Sequence, residues 1–177
     1  MNTQTWLARM DRAELNVCRQ FNALVHRAGA RRIFQLAEKL GDGVAWYSLI
    51  ALLPFCGRHG ALVALQMGVS GLAGLLLYRY LKRTFVRERP FITHTAITQA
   101  GAPLDRFSFP SGHTLHAVCF TILAVNGFPL LAWVLLPLAS VIAMSRVVLG
   151  LHYPTDVLVG ALIGTGMATT TLAFLPA

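Results

Sequence analysis

Residues 107–145 read FSFPSGHTLHAVCFTILAVNGFPLLAWVLLPLASVIAMS, without one formally charged side chain. A helix crosses a bilayer in roughly 20 residues. The stretch is therefore too long for one crossing and about right for two. Asn126-Gly127-Phe128-Pro129 supplies a turn between them. One span is expected at about Thr114–Val125 and the next at about Leu130–Val148. The stretch opens on Pro110-Ser111-Gly112-His113. Such a turn directs backbone N–H groups at one spot, and the helix that follows adds positive dipole there. An oxyanion or a phosphate suits that spot, although Pro-Ser-Gly is also an ordinary turn.

Working outward, the charge-free run Gly60–Tyr78 has the length of a second span, with a tight turn at Arg58-His59 before it. Gly68, Gly71 and Gly74 lie near one face of it, where a neighbouring helix could come close. The first span covers about Gly43–Cys56 and borrows residues from before Asp42. Beyond a loop at Gly150–Pro154, the last covers about Thr155–Leu175, with Pro154 suited to its first turn and Gly160 and Gly164 forming a small-xxx-small face. Residues 1–41 mix Leu15, Val17, Phe21, Leu24 and Val25 with Arg12, Arg19, Arg27, Arg31 and Arg32. This is an amphipathic pattern for a helix lying in the membrane interface or packed on the membrane domain. The expected architecture is all-α: a polytopic membrane bundle of about five transmembrane helices plus an N-terminal amphipathic helix. The domain division is 1–41 for that helix and 42–177 for a membrane-embedded catalytic unit.

Composition agrees. Apolar residues make up 55% of the chain and charged residues 12%, gathered before about residue 42 and between Arg79 and Arg106. A soluble domain needs charge over its whole surface. The net charge of +8 flanks apolar segments instead of lining a polar module, which argues for juxtamembrane anchoring and anionic lipid and against nucleic acid. The three cysteines, Cys18, Cys56 and Cys119, have no disulfide or zinc spacing, and Cys56 and Cys119 read as packing residues. No apolar signal-peptide core is visible at the N-terminus, so retention of that segment is expected.

With five spans, three polar clusters fall on one side of the membrane: Lys82 to Pro90, Pro110 to His113, and Ser145-Arg146 followed by His152 and Asp156. If the second helix continues, Lys82 and Arg89 share a face two turns apart. Together the clusters describe a phosphoryl-transfer site without a metal. Lys82, Arg89 and Arg146 would bind non-bridging oxygens, with Ser111 and the Gly112 N–H as further donors. His152 would attack phosphorus, with Asp156 fixing its tautomer, and His113 would protonate the leaving oxygen and then activate water. A metal site made of His113, His116, His152 and Asp156 would put a cation beside cations and leave Lys82, Arg89 and Arg146 without a role. Singly, other residues read more plainly. Arg79, Arg83 and Arg87 are juxtamembrane charges, Asp105 and Arg106 loop polarity, His116 helix lining, and Tyr78, Tyr80 and Trp46 interfacial aromatics.

Lys82 with Arg89-Pro90, Pro110-Ser111-Gly112-His113, and Ser145-Arg146 with His152 and Asp156 resemble the three-part signature of the type-2 phosphatidic acid phosphatase superfamily, which also includes the vanadium haloperoxidases. The resemblance covers about the central half of the chain. It implies the same roles: His152 as nucleophile, Asp156 as its orienter, His113 as acid and base, and Lys82, Arg89, Ser111, Gly112 and Arg146 as phosphate cradle. It also implies a helical bundle, no metal, no cofactor, and a lipid phosphate substrate such as undecaprenyl diphosphate, phosphatidate or phosphatidylglycerophosphate. The expected protein is a multi-pass lipid phosphatase of the bacterial inner membrane. The alternatives are a phosphatase of water-soluble esters and a non-catalytic phosphate- or anionic-lipid-binding scaffold or transporter. The positive-inside rule predicts a cytoplasmic site, whereas relatives acting on undecaprenyl diphosphate typically face outward.

Overall fold

The computed structural model describes residues 3–176, and of residues 3–10 and Arg12 the backbone alone. Met1, Asn2 and Ala177, at the ends of the two expected domains, and the Arg12 side chain lie outside the described residues. Eight helices follow in order: α1 (Thr3–Asn22), α2 (Ala28–Lys39), α3 (Ala45–Leu52), α4 (Gly57–Phe85), α5 (Pro90–Thr93), α6 (Gly112–Gly127), α7 (Ala132–Val148) and α8 (Pro154–Phe174). Among the described residues there is no strand, only an isolated antiparallel bridge between Glu88 and Phe107.

Three helical runs are long and apolar enough to cross a membrane: Ala28–Phe85, Pro129–Val148 and Pro154–Phe174. The first is not one rod. A wide π-helical turn at Leu40–Val44, with Gly43 at φ 129°, joins α2 to α3. The chain then reverses through a tight turn at Leu53–Cys56 and Gly57 at φ 83°. The reversal lies before Arg58 and His59, which belong to the first turn of α4. A side chain at Gly60 would collide with the Leu53 carbonyl, so glycine is needed where α4 folds back.

The 16-residue α6 is the axis of the bundle. Leu115, Ala117, Cys119, Leu123 and Ala124 on it are buried, and it packs between α4, α7 and α8. Burial by protein on several sides replaces the lipid that a longer span would meet. Small residues allow the closeness. A Cβ at Gly160 would come within 2.6 Å of the Ser111 carbonyl oxygen, and one at Gly164 would collide with that of Leu115. Gly71 and Gly74 on α4 sit against Phe120 and Leu115 in the same way. Outward-facing side chains such as Phe55, Leu130, Trp133, Leu162 and Phe174 are exposed, as an apolar solvent around the bundle would favour.

Two expectations need correction here. Trp46 is a core residue, not an interfacial one: it is buried and meets the Phe120 ring at 5.6 Å. Cys56, read as packing, is exposed at the helix reversal. The N-terminal segment straps the loops at one end of the bundle. Asn22 donates to the carbonyls of Thr98 and Val148 and accepts from the Thr98 N–H, and Gln35 donates to the Ala100 carbonyl.

The packing contrast along α8 is testable in one helix. Gly164→Ala should lower the thermal midpoint in detergent, at a cost of about 1–3 kcal/mol for overpacking. Gly166→Ala, where a Cβ meets nothing within 4 Å, should leave the midpoint unchanged or raise it.

Candidate active site

The three clusters converge although two of them are not built as expected. α4 ends at Phe85, where Val86 adopts φ 49° and donates its N–H to the Lys82 carbonyl. Lys82 and Arg89 therefore do not share a helical face. Arg89 returns to the site through the loop after Val86, and Pro90 starts the short α5 behind it. His152 likewise lies outside α8, which begins at Pro154. Asp156 reaches back by capping: its Oδ2 accepts the Tyr153 N–H at 2.8 Å and stands 3.6 Å from His152 Nδ1.

A cavity of about 420 Å³ opens among these groups. Lys82, Arg89, Gly112, His113, Arg146 and His152 line its polar end. Asp156 and Ser111 stand behind the wall. The Ser111 hydroxyl caps α6, accepting from the Thr114 N–H, and exchanges a 3.0 Å bond with the Thr114 hydroxyl. The Tyr78 ring packs 3.3 Å from where a Gly112 Cβ would stand and lies under the Lys82 ammonium, so Tyr78 lines the site instead of anchoring at an interface.

Arg89 Nη1 lies 3.0 Å from the Leu151 carbonyl and 3.2 Å from His152 Nε2. A guanidinium can only donate, so His152 Nε2 carries the lone pair and Nδ1 the proton. Burial, and then the charges of Arg89, Arg146 and Lys82, hold His152 well below the ordinary histidine range. It is neutral at neutral pH, with its lone pair directed among cations.

Each cation carries a carboxylate, and reading the sequence missed these partners. Asp105, expected to be loop polarity, receives Lys82 Nζ on both oxygens at 2.9 and 2.8 Å and Arg89 Nη2 at 3.0 Å. Burial pushes the Asp105 carboxyl up, but the Lys82 hydrogen bond and the charges of Lys82 and Arg89 outweigh it and keep the group ionised. Arg146 Nη1 pairs with Glu38 at 3.2 Å. His113 Nε2 meets Asp42 Oδ1 at 2.5 Å. Arg106 pairs with Glu88 on the surface. His116, one turn after His113, lies between α6 and α4 with its two ring nitrogens 2.9 Å from the Gly112 carbonyl and 3.1 Å from that of Gly71, of which a neutral ring can donate to one. Glu38 and Asp42 did carry a signal: both are charged residues beside an apolar span, which lipid does not tolerate unpaired.

Arg87 is the largest correction. It is not a juxtamembrane charge but a buried one, 2% exposed. Its guanidinium binds Asp156 at 2.6 Å, Thr155 at 2.8 Å and Asp11 of α1 at 2.7 Å, and lies 4.0 Å from the Tyr153 ring centre. Glu14 of α1 completes the group by accepting the Thr155 N–H.

Residues 61–177 match the PAP2 superfamily, and the chain belongs to it. Over 115 residues it is 32% identical to undecaprenyl-diphosphatase BcrC of Bacillus subtilis, covering 65% of this chain and 58% of that protein's length. Over 134 residues it is 40% identical to decaprenylphosphoryl-5-phosphoribose phosphatase of Mycolicibacterium smegmatis, covering 75% of this chain and 69% of that one. The fold matches the crystal structure of Aquifex aeolicus LpxE with a TM-score of 0.80 at 27% identity, covering 92% of this chain and 96% of that one.

Arg87→Ala would strand Asp156 as an uncompensated buried charge, which typically costs about 3–5 kcal/mol. The variant should show a lower thermal midpoint in detergent than Arg106→Ala, whose partner is at the surface. Equal midpoints would show that the buried pair carries no stability.

Proposed function

We propose that this protein is an integral membrane phosphatase that hydrolyses a lipid phosphate or diphosphate through a phosphohistidine, without a metal. The observation that carries the reading is the neutral His152 with its Nε2 lone pair facing Arg89 inside the cationic cavity. In the first step Nε2 attacks phosphorus, the N–P bond forms and the P–O bond to the lipid breaks. His113 gives its proton to the departing oxygen. Water then attacks phosphorus as His113 takes its proton, and the N–P bond breaks to release phosphate. Lys82, Arg89, Arg146 and the Gly112 N–H hold the non-bridging oxygens, and Ser111 secures the helix start that presents that N–H. The negative charge of Asp156, 3.6 Å from His152 Nδ1, favours the tautomer that carries its proton there. Asp105 now occupies Lys82 and Arg89, and the phosphate displaces or shares it.

The cavity supports a lipid over a soluble ester. Beyond the cations it continues between α3 and α4, where Trp46, Ile50, Met67, Leu72 and Leu75 line it. Gly68 lies there with nothing within 4 Å of a built Cβ. An apolar chain attached to the phosphate fits that continuation. Two of the relatives are named undecaprenyl-diphosphatase and decaprenylphosphoryl-5-phosphoribose phosphatase, and we assign a polyprenyl-linked phosphate as the substrate class here. We further propose five membrane crossings, formed by the α2–α3 run, α4, α6, α7 and α8, in a bacterial inner membrane. Residues 1–41 would lie at the interface above the site, with the catalytic unit in 42–177.

Phosphate release in detergent from a panel of lipid phosphates, with chelator present, tests this directly. Wild type should cleave at least one lipid with chelator, and His152→Ala should lose about a thousandfold or more in kcat. Acid-labile, base-stable label from radioactive substrate should appear on wild type alone. Loss of activity with chelator would overturn metal independence, and cleavage of soluble esters only would overturn the lipid assignment. For the groove, Gly68→Leu should raise KM for a long-chain lipid phosphate by about tenfold or more, as an obstructed apolar site loses on the order of 1–3 kcal/mol. The same substitution should move KM for a short-chain ester much less.

A further inference from the structure

Asp42 has no part in the mechanism above, yet it touches His113. Its carboxylate meets His113 Nε2 at 2.5 Å, and both side chains line the cavity. The backbone around it is specialised. Asp42 sits inside the π-helical turn between α2 and α3, flanked by two glycines. Turns of this kind interrupt the regular ladder and often occur at functional positions. Gly43, at φ 129°, has a conformation that other residues adopt only with strain. A Cβ at Gly41 would stand 3.2 Å from the His113 ring and 3.0 Å from Ile142. The Gly41-Asp42-Gly43 segment thus brings α2 against the imidazole with nothing between, and aims one carboxylate at it.

Charge gives this contact a purpose. Arg146 from α7 and Lys82 from α4 line the same cavity as His113, and their positive charge opposes a proton on its ring, whereas the Asp42 carboxylate bonded to Nε2 favours one. A general acid must hold a proton until the leaving oxygen takes it. Among the described residues, Asp42 is the carboxylate bonded to this ring.

We propose that Asp42 is a positioning residue for His113: it orients the imidazole through Nε2 and supports its protonated form, leaving Nδ1 to pass the proton to the leaving oxygen. The inference rests on the acid role assigned to His113 under Proposed function. No bond to phosphorus involves Asp42. The proton moves from His113 to the leaving group, and the imidazole left behind stays bonded to Asp42.

Leaving-group dependence tests it. An alkyl phosphate needs its departing oxygen protonated, whereas a nitrophenyl phosphate leaves as a stable anion. The values to compare are kcat/KM, which report the step that breaks the P–O bond. His113→Ala should lose about a hundredfold on an alkyl lipid phosphate and only a few-fold on nitrophenyl phosphate. Asp42→Asn, which keeps the shape and removes the charge, should show the same split at about tenfold or more on the alkyl ester. Asp42→Glu should recover most of that loss. Equal losses on both substrates in Asp42→Asn, or no loss on either, would overturn the proposal for Asp42 while leaving His113 in place. Absence of the split in His113→Ala itself would remove the acid role of His113, and Asp42's role with it.

Discussion

The arrangement depends on one electrostatic constraint: four cationic side chains gathered at one end of an apolar bundle must each meet an anion. Lys82, Arg87, Arg89 and Arg146 are all buried, and an isolated buried charge is too costly to survive folding. Asp105 serves Lys82 and Arg89, Glu38 serves Arg146, and Asp156 with Asp11 serves Arg87. These carboxylates come from α1, α2, the loop before α6, and α8. Meeting the constraint therefore draws together segments far apart in the chain, including the N-terminal helices that lie outside the matched superfamily region.

The pairs differ in what they leave available. Asp156 is fully buried, and its oxygens are used by Arg87 and the Tyr153 N–H, so it acts as a fixed support for the His152 loop. Asp105 is partly exposed at the cavity wall and holds Lys82 and Arg89 at once. Under the proposed mechanism the first kind of pair maintains geometry, and the second keeps the cradle ordered until an oxyanion competes for it. Backbone closeness makes both possible. Gly160 and Gly164 let α8 approach α6 near its capped start, which carries the His152 loop toward His113.

Much of the helical plan was legible. Long charge-free runs, an Asn-Gly-Phe-Pro break and Pro154 at a helix start mark elements that the structure contains, because lipid and backbone hydrogen bonding permit few other solutions. The polar clusters were legible as a set because their residue types and spacing match the three-part signature of the superfamily to which the chain belongs. The continuity of α4 into Arg89 was not. Val86 ends the helix in a left-handed conformation that its β-branched side chain does not suggest. Trp46 and Tyr78 were misread for a related reason: an aromatic near a span end looks the same whether it faces the headgroups or a neighbouring helix.

The sequence by itself determined most of the helical elements, their order and the three clusters of charged and polar side chains, since these follow from local composition and spacing. Only the tertiary structure decided the partners. The bonds of Arg87 to Asp156 and Asp11, Asp105 across two cations, Glu38 on Arg146 and Asp42 on His113 link residues up to 108 positions apart. Pairing at that distance is a consequence of which helices pack together, and a charged residue carries no local mark of the one it will meet.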